Sequence, residues 1–299
     1  MRTLLLLPPL CLLPSLTAAS DKRGLVQVDT KNPNDEAVFL SDPTTISWYY
    51  NYRSAPSASL SNLEFVPMLW GEPAANYDFA TEVRGLLRDD KNNIKYVLGF
   101  NEPDMGRDVG GSNMSPARAV EIWKEMIEPL KDQGLKLGAP GVASTQDGKR
   151  WIKAFMEACD GCTVDFVPVH WYGNFEGLAS HIGEVRAMFP DKDLWVTEFG
   201  YAHQSLSDTY SFFNTSLEYL DRLAYVQRYS WFGSFRSSVS NVGPNGAMLD
   251  SDGDLTDLGA WYLGRKSPGN TPASAAVHAR IAWAPLGIAL GVVAVTGCL

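Results

Sequence analysis

Tyr96-Val97-Leu98-Gly99-Phe100-Asn101-Glu102-Pro103-Asp104 is an apolar run of strand length that ends in a carboxylate. Downstream, Ser115-Pro116 offers an N-cap and a proline at the first helical position, where its missing N–H costs nothing. Val120, Trp123, Ile127 and Leu130 then recur on one helical face, and Gly134 is a stop before the next apolar run, Leu135-Lys136-Leu137-Gly138-Ala139. Strand, helix and strand in this order predict two parallel strands, because a parallel pair needs a crossover connection.

The same unit recurs along the chain. Further strands are predicted at Gly24–Val28, Thr45–Tyr50, Glu64–Trp70, Val164–His170, Leu194–Thr197 and Tyr229–Gly233. Helical spacing fills residues 77–89, 149–158, 178–189, 208–227 and 255–263, while Asn34–Asp42 has room only for a turn or two. Eight strands alternating with helices over residues 21–265 predict a single-domain α/β fold, the (β/α)8 TIM barrel. The alternative is an open doubly wound sheet. That fold usually carries a glycine-rich phosphate loop after its first strand, and none follows Val26-Gln27-Val28.

The two ends read as processing segments. Residues 1–20 combine a basic start, an apolar run from Leu4 to Leu16 broken by Pro8, Pro9 and Pro14, and the small-residue site Thr17-Ala18-Ala19-Ser20, which is the pattern of a signal peptide. Residues 281–299 form an apolar tail. Residues 266–280 before it are a small and polar spacer, with Gly269 or Asn270 as the attachment position of a GPI anchor. The alternative is a transmembrane anchor, which the missing basic flank argues against. The expectation is a secreted, extracellular protein held at the cell surface by a GPI anchor or in the wall, touching the membrane only through the lipid. The formal net charge of -9 without Lys/Arg clusters argues against nucleic-acid binding. Of the four cysteines, Cys11 and Cys298 fall in the end segments. Cys159 and Cys162 lack a second pair that would complete a zinc site, and in an oxidising compartment they read as a local disulfide. Asn113-Met114-Ser115 and Asn214-Thr215-Ser216 are glycosylation sequons.

In such a barrel the functional side chains stand at the C-terminal strand ends. Here those ends read Trp48-Tyr49-Tyr50-Asn51-Tyr52-Arg53, Trp70-Gly71-Glu72, Asn101-Glu102, His170-Trp171-Tyr172, Glu198-Phe199-Gly200-Tyr201 and Trp231. Aromatic rings can pack on the apolar faces of sugars, while Asn, Glu and His bond the hydroxyls. Trp48, Tyr50, Asn51, Trp70, His170, Trp171, Tyr172, Tyr201 and Trp231 are therefore the candidate sugar contacts. Trp195, Phe100 and Phe166 read as core, and Trp123 and Trp151 as helix packing. Glu102 and Glu198 stand after strands four and seven. They are either structural ion-pair partners or the acid and nucleophile that glycosidic cleavage requires.

The segments Gly99–Asp104, Val169–Gly173 and Trp195–Phe199, with Trp48–Asn51 and Pro67–Gly71, resemble glycoside hydrolase family 128, a group that includes fungal alkali-sensitive linkage proteins. The resemblance covers Gly24 to Leu263. It implies a retaining endo-β-1,3-glucanase, with Glu102 as acid/base, Glu198 as nucleophile and Asn101 holding the sugar 2-hydroxyl and supporting the nucleophile. It also implies aromatics from strands two, three, six and eight along the glucan cleft, and a raised Glu102 pKa. Asn51-Tyr52 stands where the family often has Asn-Trp. The alternatives are a glucan-binding or structural wall protein, a glucan transglycosylase, and another glycosidase specificity of the same clan. Neither metal nor cofactor is expected, the ligand is a β-1,3-glucan polysaccharide or oligosaccharide, and the protein is expected to be a monomer.

Overall fold

The computed structural model describes residues 21–28, 32–89 and 93–272. The predicted signal peptide, the apolar tail and residues 273–280 of the spacer lie outside the described residues. Among those described, no helix is long and apolar enough to cross a membrane.

Eight strands form one all-parallel sheet: β1 (Arg23–Val26), β2 (Trp48–Tyr50), β3 (Glu64–Phe65), β4 (Tyr96–Leu98), β5 (Lys136–Gly138), β6 (Phe166–Tyr172), β7 (Asp193–Gly200) and β8 (Val226–Trp231). Their order is β3-β2-β1-β8-β7-β6-β5-β4. The seam closes just beyond β3, where the Leu98 N–H donates to the Pro67 carbonyl at 2.9 Å and the Leu69 N–H to the Leu98 carbonyl at 3.2 Å. The sheet is thus a closed barrel, as the repeating unit predicts. Its helices are α1 (Glu36–Leu40), α2 (Phe79–Leu86), α3 (Pro116–Ile122), α4 (Gln146–Ala158), α5 (Phe175–Met188), α6 (Leu206–Arg222) and α7 (Asp257–Tyr262).

Local chemistry explains where these helices start and stop. The Ser115 hydroxyl accepts from the Arg118 N–H at 3.2 Å and caps α3. Beyond Ile122 that helix widens into a π turn over Trp123–Ile127 and tightens into a 3-10 segment over Glu128–Gln133. Pro129 lies in this stretch, and its ring and missing N–H forbid the regular ladder. Gly134, at φ 78°, ends the segment. Helix α6 stops at Arg222, short of the predicted Gln227, and β8 begins at Val226. The apolar spacing runs on, but the Leu194 N–H donates to the Tyr225 carbonyl at 2.8 Å, so sheet pairing overrides the helical pattern.

There are two apolar layers. An outer one lies between barrel and helices and includes Phe100, Trp123, Trp151 and Phe155. An inner one fills the barrel with Val26, Trp48, Tyr50, Val66, Phe166 and Trp195. Arg228 crosses the N-terminal end of this interior. Its guanidinium lies 4.4 Å from the Tyr96 ring centre and 4.5 Å from that of Trp195, and it donates twice to Glu64, at 3.1 and 2.9 Å. A disulfide joins Cys159 and Cys162 just after α4. Asn113 and Asn214 are both exposed, in the loop before α3 and on α6.

Candidate active site

Glu102 follows β4 and is held by backbone on both sides. The Asn101 N–H donates to the Trp70 carbonyl at 2.8 Å, and the Glu102 N–H to the Gly141 carbonyl at 2.7 Å. Glu102 has φ 39°, a left-handed conformation uncommon for a side-chain-bearing residue. The Glu102 carbonyl accepts from the N–H groups of Met105, at 2.9 Å, and Ser112, at 3.2 Å, and these bonds lock the turn. A turn that directs a carboxylate in this way stores local strain, and such strain gathers at functional sites.

Glu198 lies on β7 and is 4% exposed. A register shift between Val196 and Phe199 interrupts its pairing with β8. His170 of β6 stands between the two carboxylates: its Nδ1–H donates to Glu102 Oε1 at 2.9 Å, and its Nε2 lies 3.7 Å from Glu198 Oε1. One oxygen from each glutamate and a ring nitrogen of His170 all lie within 4.8 Å of one another. Three phenols surround Glu198. Tyr52 donates to Oε1 at 2.8 Å, Tyr172 to Oε2 at 2.7 Å, and the Tyr50 hydroxyl lies 3.4 Å from Oε1 while also donating to the Thr197 carbonyl at 3.0 Å.

Burial alone would lower the His170 pKa, but the Glu198 charge and the Glu102 hydrogen bond and charge outweigh it and raise it to about 9. For Glu102 burial acts upward, yet the hydrogen bond and charge of His170 prevail and hold its pKa below the ordinary value. The raised Glu102 pKa implied by the resemblance is therefore not found, because the shared proton rests on His170. With Nδ1 against the Glu102 carboxylate and Nε2 toward Glu198, the trio forms an ion-pair chain. Asp104, whose Oδ1 accepts the Ala143 N–H at 3.1 Å, is pushed up by burial. Burial, with the charge of Glu198, pushes Tyr50, Tyr52 and Tyr172 well above their usual value, so all three stay neutral donors.

Above this chain opens a cleft of ≈ 570 Å³. Of the residues the sequence singles out, Asn101, Glu102, Glu198, Trp70, His170 and Tyr172 line it. Arg107 covers the Trp70 ring at 5.7 Å from its centre. Asn101 donates from Nδ2 to the Gly110 carbonyl at 3.3 Å, and its Oδ1 has no partner among the described residues.

The other candidates lie elsewhere. Trp48 points into the barrel one layer below the cleft and is fully buried; a Cβ on Gly24 would lie 2.1 Å from its Cε2, so the ring fills the space that glycine leaves. Tyr50 lies beneath the cleft floor and reaches Glu198 from there. Asn51 is buried in its own turn, with Nδ2 donating to the Ala55 carbonyl at 2.9 Å. Trp171 and Trp231 each follow an inward residue, His170 and Ser230, so strand alternation turns them outward. Trp171 stacks on His181 of α5 and donates to the Asn174 carbonyl at 2.9 Å, while Trp231 packs edge-on to Phe199 and Phe213 and donates to the Gly246 carbonyl at 2.7 Å. Tyr201 packs on Phe212 and lines a separate groove beside α6.

The sequence reading missed Tyr52 and Phe232 as cleft residues, along with Met105, Val109 and Val242. Tyr52 was within reach, since it sits in the quoted strand-two motif. Phe232 directly follows β8, Val109 ends a short 3-10 turn, and Met105 and Val242 lie in loops, where no periodicity marks them.

Residues 24–262 match the family model described as glycosyl hydrolase catalytic core. Alkali-sensitive linkage protein 1 of Schizosaccharomyces pombe is 30% identical over 256 residues, covering 83% of this chain. The match takes in 45% of that protein, so the chain spans less than half of its length. Among solved structures, an endo-β-1,3-glucanase of family 128 from Pseudomonas viridiflava is 29% identical with a TM-score of 0.66, covering 83% of this chain and 99% of its own. A curdlan-specific exo-β-1,3-glucanase from Blastomyces gilchristii, solved with glucose, is 27% identical with a TM-score of 0.67, covering 82% and 98%. The same family also includes oligosaccharide-binding proteins. Family match and barrel span the same stretch of chain, which belongs to the glycosyl hydrolase catalytic core family, within glycoside hydrolase family 128.

Proposed function

We propose that the protein is a retaining β-1,3-glucanase of endo action, with Glu102 as acid/base and Glu198 as nucleophile. The observation that carries this reading is the spacing of the two carboxylates, which have oxygens within 4.8 Å of each other. Retention needs carboxyl groups about 5–5.5 Å apart, whereas inversion leaves roughly 6.5–9.5 Å for a water. Glu198 attacks the anomeric carbon as the bond to the leaving oxygen breaks. The proton for that oxygen comes from the His170–Glu102 pair, passing from Nδ1 through the Glu102 carboxyl. In the second step Glu102 takes a proton from water, which displaces Glu198; a sugar hydroxyl in place of that water gives transglycosylation. Trp70 supplies an apolar face for a glucosyl ring, and Asn101 a buried amide for a hydroxyl.

Relatives that are β-1,3-glucanases support this substrate, and the Pseudomonas viridiflava enzyme among them supports endo action. Proton NMR of fresh laminarin digests tests the stereochemistry: the β-anomer is expected first, and an α-anomer appearing first sinks the retaining mechanism. Glu102→Gln and Glu198→Ala are each expected to lower laminarin cleavage by at least ~10²-fold while binding persists. End-blocked glucan separates endo from exo action, since only an endo enzyme cuts it.

A second reading, glucan binding with little chemistry, draws on one observation: in the resting site Glu102 is held ionised by His170. Wild-type protein that binds laminarin and releases no reducing ends would establish it. For location we propose a secreted protein, a monomer anchored by lipid at the cell surface or in the wall, on the strength of the terminal segments and the disulfide. Release by a phosphatidylinositol-specific phospholipase tests the anchor.

A further inference from the structure

We infer that Tyr52 is the positioning residue of Glu198: its hydroxyl fixes Oε1, so that Oε2 is the oxygen presented to the sugar. This rests on the reading of Glu198 as nucleophile. The two oxygens of that carboxylate stand in unequal surroundings. Oε1 accepts from Tyr52 at 2.8 Å and has the Tyr50 hydroxyl at 3.4 Å and His170 Nε2 at 3.7 Å. Oε2 has the Tyr172 hydroxyl at 2.7 Å. Turning Oε1 toward a carbon would disrupt three contacts, whereas Oε2 gives up one.

The chain builds Tyr52 into this place. Its φ is 60°, a left-handed conformation that is an outlier for a bulky residue. The turn is fastened on both sides. Buried Asn51 donates from Nδ2 to the Ala55 carbonyl at 2.9 Å and accepts the Arg53 N–H on Oδ1 at 3.2 Å, while the Arg53 carbonyl accepts from the Met68 N–H at 2.9 Å. Asn51, singled out in the sequence as a sugar contact, thus holds the turn that aims Tyr52.

The consequence falls on the second half of the reaction. In the first step an Oε2–carbon bond forms as the glycosidic carbon–oxygen bond breaks, and Oε1 becomes the carbonyl oxygen of a glycosyl ester. In the second step water adds to the anomeric carbon and gives its proton to Glu102. The Oε2–carbon bond breaks, and its electron pair returns to the carboxylate. The Tyr52 donation to Oε1 strengthens as that charge returns, so it assists departure of Glu198.

The test compares wild type with Tyr52→Phe, which keeps the ring, on a dinitrophenyl β-laminaribioside. The expected result is a burst of phenol near one per enzyme, then a steady rate lower by about 10- to 100-fold, the worth of one hydrogen bond to a charged group. The carboxyl ¹³C chemical shift of Glu198 should also move in the variant, because Oε1 loses the Tyr52 hydrogen bond, with an unchanged melting temperature. An unmoved Glu198 carboxyl signal overturns the inference whatever the kinetics. If the wild type forms no glycosyl-enzyme, the nucleophile reading fails, and the carboxyl signal still decides whether Tyr52 governs Glu198.

Discussion

His170 governs the proton balance of the site at the scale of single residues. Among the described residues it is the one cation touching both glutamates, and its pKa of about 9 means that it carries a proton through the neutral range. The alkaline limb of kcat/KM should therefore fall near that value, because the acid's proton is stored on the pair. In His170→Asn the limb is expected to move down, to the titration of a buried carboxyl without a cationic partner. A pH–rate profile checks this, and a limb that stays near 9 would remove His170 from the proton path. Little of this was legible in the sequence: His170 stands out as a strand-end histidine, but its position between two carboxylates depends on the ends of β4, β6 and β7 converging in one barrel, with β5 between the first two.

At the scale of elements, strand alternation divides the aromatic residues into two groups that the sequence does not distinguish. On β6, His170 and Tyr172 face the cleft while Trp171 lies under α5; on β8, Ser230 faces inward and Trp231 lies under α6. Trp231→Ala should cost about 3–5 kcal/mol of stability through the cavity it leaves, with the laminarin KM unchanged. Trp70→Ala should do the reverse, raising KM several-fold with little change in melting temperature. Thermal unfolding and steady-state kinetics on both variants check the division, and a raised KM in Trp231→Ala would return that ring to the cleft.

At the scale of the whole molecule, the site affects the pH dependence of folding. The His170 pKa rises from 6.5 to about 9, so the stability it contributes is fully present below about pH 6.5 and is lost as pH climbs through about 9. His181, lowered to about 4 by burial and by Lys149, acts in the opposite direction, its contribution present above about 6.5 and lost as pH falls through 4. The melting temperature should decline between about pH 6.5 and 9, and His170→Asn should flatten that decline. Differential scanning calorimetry across this range checks it, and an unchanged slope in the variant would place its origin elsewhere.

Sequence alone determined the barrel, because Glu102 and the runs around it belong to a unit of strand, loop and amphipathic helix whose local chemistry needs no distant partner. Caps such as Ser115 and stops such as Gly134 work within a few residues, and both are found where the pattern places them. Sequence also put Glu102 and Glu198 at strand ends four and seven. Only the tertiary structure decided which way each strand residue faces. In a closed parallel barrel both sheet faces are buried, so apolar residues occupy both and alternation has no legible sign. That is why Trp48, Trp171 and Trp231 read like Trp70 until closure and register separate them. The roles of Tyr52 and His170 were fixed in the same way: each depends on contacts across more than sixty residues of chain, and only the closed barrel brings those partners together.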